Sequence, residues 1–372
     1  MSSLHLRRWF QSDQEPGSGA GLQKTPDFFI VGAPKCGTTA MAEYLSRHPD
    51  IFMARKEMHY FGRDLRWGSQ IFRRQPREYW REFAAWSGQA RAGEASVWYL
   101  YSSYAAAEIK AYSPRARIII MVREPAEMLH SLYAQFRLDG NEHLPTFAAA
   151  LAAEPDRQAG RRCTRNTYFR QGLLYHEVAR FTRQIQRYFE VFGRERVQVV
   201  LYDDFAADPE TMYRRTLNFL EVAPVRTPED FPVINGSQRL RSPFLRKLMS
   251  DPLVRGTALA LRFWMPGRLF IALQQLESRL MQLNSRPVQR PPLEEGLRWR
   301  LKEDFAPEVD RLGDLLGRDL SHWSNPKAPK AAPVPVPSRP APHLPAPERS
   351  AAAAGRIPAG APSKGLTISS NS

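Results

Sequence analysis

The chain has 372 residues with 43% apolar content, enough to bury one large core. Its formal charge of +15 suits anionic ligands, and only two cysteines, Cys36 and Cys163, argue against a disulfide-built scaffold and fit a reducing compartment. Basic residues are dispersed, with no helix-turn-helix, zinc or aromatic-basic signature beside them, so no nucleic-acid partner is expected. Residues 1–25 read as a disordered arm without an apolar run of signal-peptide length.

The first structured element is Phe28-Phe29-Ile30-Val31-Gly32, an apolar run that ends in glycine. The loop Ala33-Pro34-Lys35-Cys36-Gly37 follows, and a helical pattern starts at Thr38. Strand, tight turn and helix N-terminus together form a cradle for an anion. The backbone N–H groups from Gly37 to Ala40 are the unpaired donors of the first turn, and the helix dipole favours negative charge there. Gly37 permits close approach of the backbone, Pro34 stiffens the turn, and Thr38 and Thr39 add hydroxyl donors. The spacing is similar to a Walker A loop, except that Thr38 stands where the lysine belongs and Lys35 lies inside the loop. A phosphotransferase of the kinase type would want lysine at 38 and a metal-binding aspartate after a later strand.

Next come Lys56-Glu57-Met58-His59-Tyr60-Phe61, with two titratable groups two residues apart, and Gly93-Glu94-Ala95-Ser96-Val97-Trp98-Tyr99. The run Ala116 to Val122 is apolar without alternation, as in a parallel strand covered on both faces. It leads to Arg123, then Pro125 and a helix carrying Ser131. Arg123 and Ser131 are eight residues apart, one at a strand end and one on the following helix, so both can converge on one phosphate. A last strand, Val197 to Tyr202, runs into Asp203 and Asp204, and a helix extends from Asp208-Pro209 to Leu220. The acidic pair reads as a helix cap rather than a metal site. The window Leu253–Leu273 contains Arg255, Arg262, Arg268 and Pro266, so it is read as an amphipathic helix packed on the domain or on an anionic membrane surface, not a span. Leu301, Phe305, Val309, Leu312, Leu315 and Leu316 give a helical pattern over 297–323 that closes the domain, 26–323. Residues 324–372 are rich in Pro and Ala, carry six Lys/Arg against one Glu, and are expected to be disordered.

The donor loop, the Arg123–Ser131 pair and the Lys56–Phe61 segment together resemble the sulfotransferases that use 3′-phosphoadenosine 5′-phosphosulfate (PAPS), and the last segment is similar to the Lys-Glu-x-His-Phe-Phe of the glycosaminoglycan branch. The resemblance implies a three-layer αβα fold of the α/β class, with a central parallel sheet of P-loop NTPase-like topology. It implies that Lys35, Cys36, Gly37, Thr38, Thr39 and Ala40 hold the 5′-phosphosulfate, with Lys35 on the oxygen bridging phosphorus and sulfur. It assigns Arg123 and Ser131 to the 3′-phosphate, and offers Tyr175, Arg239 and Arg241 as further nucleotide contacts. Glu57 is the implied base, with His59 and Glu94 as alternatives. Ala95 departs from the branch, which has a lysine there. The implied reaction moves the sulfuryl group from PAPS to a hydroxyl, or else an amine, of a carbohydrate, glycolipid or small natural product, without a metal, leaving 3′-phosphoadenosine 5′-phosphate (PAP). A kinase-like phosphotransferase and an inactive nucleotide- or anion-binding module are the alternatives. The lack of an anchor-like segment and the Arg- and Ala-rich composition point to a cytoplasmic bacterial enzyme.

Overall fold

In a computed structural model of the chain, five parallel strands pair in the order β2-β3-β1-β4-β5. They are β1 (Phe28–Gly32), β2 (Ile51–Met53), β3 (Arg91–Ala95), β4 (Arg117–Val122) and β5 (Val197–Leu201). The structure describes residues 25–66, 76–164, 167–224 and 291–325, and the short antiparallel pair Gln238–Leu240 and Ser285–Pro287. The chain divides into two units, Met1–Ala331 and Ala332–Ser372, and every described residue belongs to the first. All but the last residue of the expected arm, the 253–273 helix and nearly all of the expected tail lie outside the described residues.

The central strands follow from composition. Every residue of β1 is buried, and so is β4 beyond Arg117, which is why neither alternates polar with apolar. β3, Arg-Ala-Gly-Glu-Ala, is a strand that composition hides. It is held between β1 and β2, and a Cβ on Gly93 would lie 2.1 Å from the Phe28 ring, so only glycine lets that ring lie flat on the strand.

The chain leaves β1 toward one sheet edge and leaves β3 toward the other. Right-handed crossovers in opposite directions put helices on both faces. On one face α1 (Thr38–Ser46) packs against β1, β2 and β3. On the other, α2 (Ala105–Tyr112) meets a later helix that covers β4 and β5. Between them in sequence is α3 (Pro125–Asp139), well delimited by local chemistry. The Glu124 carboxylate accepts from the Glu127 N–H, Pro125 takes the first turn, and left-handed Gly140 ends the helix. The helix that covers β4 and β5 is α4 (Phe181–Phe192), and α5 (Pro209–Leu220) lies against α1 and β5. The terminal helix α6 (Glu295–Leu316) packs on α3 and α4.

Two expectations need correction here. The 297–323 pattern is not one helix: α6 stops at Gly317 (φ 63°), and a short helix, Ser321–Ser324, follows. Asp203 and Asp204 do not cap α5; Asp208 does, its carboxylate accepting from the Thr211 N–H at 3.0 Å. Asp203 instead accepts from the Trp323 indole N–H (2.7 Å) and pairs with His322, while Asp204 pairs with Arg318, so both tie the closing segment to the end of β5. Among the described residues no helix is long and apolar enough to cross a membrane.

Candidate active site

Ligands of open parallel sheets bind at the carboxyl ends of the strands, where neighbouring connections diverge. Here that place is the end of β1, between the loop after β2 and the start of α3. Gly37 caps α1 in the left-handed conformation (φ 87°), and the rings of Tyr202 and Phe205 would sit 3.2–3.3 Å from any Cβ there. No side chain caps α1 at that residue, so its first-turn N–H groups face the loop.

Lys35 is also left-handed (φ 62°), and its ammonium donates to Gln135 Oε1 of α3 at 3.3 Å. Cys36 turns inward: it is fully buried, donates to the Pro34 carbonyl and has its thiol pushed up to about 12 by burial, so only its backbone is available to a ligand. Thr38 and Ala40 are buried and Thr39 is half-buried.

Lys56 arrives from the other side of the loop. Its ammonium lies 2.6 Å from Thr39 Oγ1, 3.4 Å from Thr38 Oγ1 and 3.1 Å from Glu57 Oε1. Nothing in the sequence marks this lysine as a neighbour of Thr38 and Thr39. The missing signal is spatial, because only the β2-β3-β1 order brings the loop after β2 beside the loop after β1. Glu57 Oε2 accepts from the Val97 N–H (3.2 Å) and lies 3.3 Å from His59 Nε2. Glu57 (φ 60°) and His59 (φ 49°) both hold left-handed backbone, as Lys35 does. Among the described residues only five non-glycine positions do so, and these are three of them. Such strain costs about 1–3 kcal/mol each and persists where the surroundings enforce it.

The enforcement comes from behind the loop. The N–H of His59 donates to Ser96 Oγ, those of Tyr60 and Phe61 to the Tyr99 hydroxyl, and that of Gly62 to Glu108 Oε2 at 2.7 Å. Four consecutive amides are thus satisfied by side chains rather than by a ladder. Ser96 and Tyr99 in turn donate to Glu94, as does Tyr79 at 2.6 Å. Glu94 is fully buried, and burial pushes its carboxyl up to about 7, the charge of Glu57 adding to the rise while the three hydroxyls oppose it. With hydroxyls on both oxygens and no exposure, Glu94 is a scaffold for the Glu57 loop rather than a base open to an acceptor. Phe61 belongs to the same buried cluster, edge-on to Phe29 and Tyr99, and Tyr60 stacks on Tyr79 at 4.2 Å.

At the end of β4, the Arg123 guanidinium lies over the Tyr202 ring (4.6 Å) and 3.5 Å from Glu127. Glu127 also pairs with Arg298 of α6 at 2.7 Å, a contact the sequence does not announce. Ser131 is half-buried on α3, two turns in from Arg123. Tyr175 is not at this surface. It is fully buried, donates to Glu142 at 3.0 Å and packs edge-on to Phe147, with Glu142 bridged to buried Arg157. Arg239 stands in the short Gln238–Leu240 strand opposite Arg286, and Arg241 lies outside the described residues.

This arrangement supplies an anion cradle flanked by two lysines, with a carboxylate–imidazole pair beside it and an arginine at the neighbouring strand end. Residues 26–226 match the Sulfotransferase family. The chain is 27% identical over 215 residues to heparan sulfate glucosamine 3-O-sulfotransferase 3B1 of Mus musculus, covering 58% of this chain and 50% of that protein. It is 35% identical over 133 residues to heparan sulfate glucosamine 3-O-sulfotransferase 6 of Homo sapiens, 36% of each chain. The chain thus spans about half the length, or less, of these curated relatives. Among solved structures, a sulfotransferase from Alicyclobacillus acidocaldarius superposes with a TM-score of 0.58 at 29% identity, over 82% of this chain and 100% of that one. With the anion cradle, the strand order and the match over 26–226 in agreement, the chain belongs to the sulfotransferase family.

Proposed function

We propose that the protein transfers the sulfuryl group of PAPS to a hydroxyl of a carbohydrate-type acceptor. The observation that carries this reading is the single ammonium of Lys56, which touches both the Thr39 hydroxyl of the anion cradle and the Glu57 carboxylate. Cradle and base are therefore neighbours, as an in-line displacement requires: the donor lies on one side of the sulfur and the acceptor hydroxyl with its base on the other. The names of the curated relatives, heparan sulfate glucosamine 3-O-sulfotransferases, support a sugar hydroxyl as acceptor.

In this mechanism the first-turn amides of α1 and the Thr38 and Thr39 hydroxyls bind the 5′-phosphosulfate. Arg123 pairs with the 3′-phosphate, giving up its contact with Glu127, which keeps Arg298; Ser131 assists from α3. Glu57 takes the acceptor proton while the acceptor oxygen bonds to sulfur. The S–O bond to the phosphate breaks, and its electron pair leaves on the 5′-phosphate oxygen. Lys35 faces the charge that grows on that oxygen, which favours the transition state over the ground state. His59 orients Glu57 or shares its proton.

The test is calorimetric titration of the protein with PAP, with ATP as comparator. Micromolar PAP binding with much weaker ATP binding supports the reading. Preference for ATP with a magnesium requirement would replace it with phosphoryl transfer, and no nucleotide binding would leave an inactive module of the same fold.

A further inference from the structure

Resting on that reading, we propose that Lys56 is a second catalytic cation, the one that grips the sulfuryl group in transit, leaving Lys35 to the departing phosphate. The two lysines approach the cradle from opposite sides. Lys35 belongs to the loop after β1 and leans to α3 on the β4 side, where it meets Gln135. Lys56 follows β2 and comes in from the β3 side, beside the base. The sulfuryl group must travel from the cradle toward the acceptor whose proton Glu57 takes, so its oxygens pass the ammonium that already spans Thr39 and Glu57.

Electrostatics favours the same assignment. The ammonium is held within hydrogen-bond reach of two threonine hydroxyls in the first turn of α1, the positive pole of that helix. A cation there is repelled by the helix dipole, and among the described residues the carboxylate that offsets it is Glu57. An anionic group with several oxygens beside Thr39 relieves that repulsion, its charge facing both the ammonium and the helix N-terminus. The side chain keeps about a quarter of its exposure (27%), enough freedom to follow the group as it moves. The chemistry balances without a further reactant. The acceptor O–S bond forms as the S–O bond to phosphate breaks, the proton goes to Glu57, and Lys56 stays protonated throughout.

The assignment separates the donor from its product. PAPS carries the sulfuryl group and PAP does not, so Lys56 contributes to the first and not the second. Calorimetry on Lys56→Met should show PAP affinity within about threefold of the unmodified protein, which also certifies the fold. PAPS affinity should fall about tenfold or more, the usual loss for one charge-assisted hydrogen bond. Lys56→Arg should retain most of the preference. Equal losses for PAPS and PAP would make Lys56 a phosphate ligand and overturn the assignment, and so would no loss for either. If the unmodified protein bound neither nucleotide, the sulfotransferase reading itself would fall, a result distinct from any behaviour of the variant.

Discussion

His59 Nε2 lies 3.3 Å from Glu57 Oε2, and both residues have left-handed backbone, the N–H of Glu57 donating to the Ala95 carbonyl and that of His59 to Ser96 Oγ. The pair presents one carboxylate and one imidazole to the same small space, with Glu57 the more exposed of the two (34% against 8%). Exposure matters because a base must touch the proton it removes, whereas a residue that orients the base need not.

Glu57→Gln is therefore expected to lower turnover by about 10² or more while leaving PAP affinity within a few-fold, the range for losing a positioned general base. His59→Ala should cost less, through a misplaced carboxylate. Steady-state rates with PAPS and a reactive acceptor, beside PAP titrations, check both. If only the histidine variant loses turnover, the roles are exchanged.

Arg123 stacks on Tyr202 and reaches Glu127, so its removal touches packing as well as charge. Arg123→Ala should weaken PAP binding about 10- to 100-fold, the scale of a charge-assisted pair. It should leave adenosine 5′-phosphosulfate, which lacks the 3′-phosphate, nearly unchanged. Equal losses for the two nucleotides would remove Arg123 from the 3′-phosphate, and a melting scan of the variant separates lost contacts from lost folding.

Sequence alone exposes β1 and β4, because buried parallel strands are unbroken apolar runs, and the turn from β1 into α1, because its glycine and threonines stand at the strand-to-helix junction. It hides β3, whose Arg, Gly and Glu are poor strand formers made into a strand by neighbours on both sides. Lys56 is hidden for the same reason: its partner Thr39 is 17 residues away, across a crossover. Asp203 and Asp204 mislead because an acidic pair before a helix looks like a cap, while their partners His322, Trp323 and Arg318 lie more than a hundred residues on. Glu94 reads as a base from its motif, yet three hydroxyls and complete burial make it the anchor of the loop that carries Glu57.

That anchor gives a pH dependence with a defined sign. The Glu94 carboxyl sits at about 7 when folded, against an ordinary value of 4.5. Between these values the folded chain keeps a proton that the unfolded chain has lost. The stability due to this group is therefore full below about 4.5 and is lost as pH rises through 7, a loss of about 3 kcal/mol in all. Glu94→Gln stays neutral at every pH. Its urea midpoint relative to the unmodified protein should therefore rise between pH 5 and pH 8. Parallel pH profiles for the two proteins would show that Glu94 does not titrate in this window.

Gly93 is the other hidden determinant of the site, because β3 carries Glu94 and leads into Ser96 and Tyr99. The Phe28 ring covers it so closely that a Cβ would meet three ring carbons at 2.1–2.6 Å, and both residues are paired in adjacent central strands with no room to part. Gly93→Ala is expected to destabilise the protein by about 2 kcal/mol or more, the cost of overpacking a close-packed core. Adding Phe28→Leu should recover part of that loss, although the leucine alone leaves a cavity and destabilises. A double-mutant cycle on urea midpoints measures the coupling. Strictly additive effects would mean that the ring and the glycine are not the contact that sets the spacing of β1 and β3.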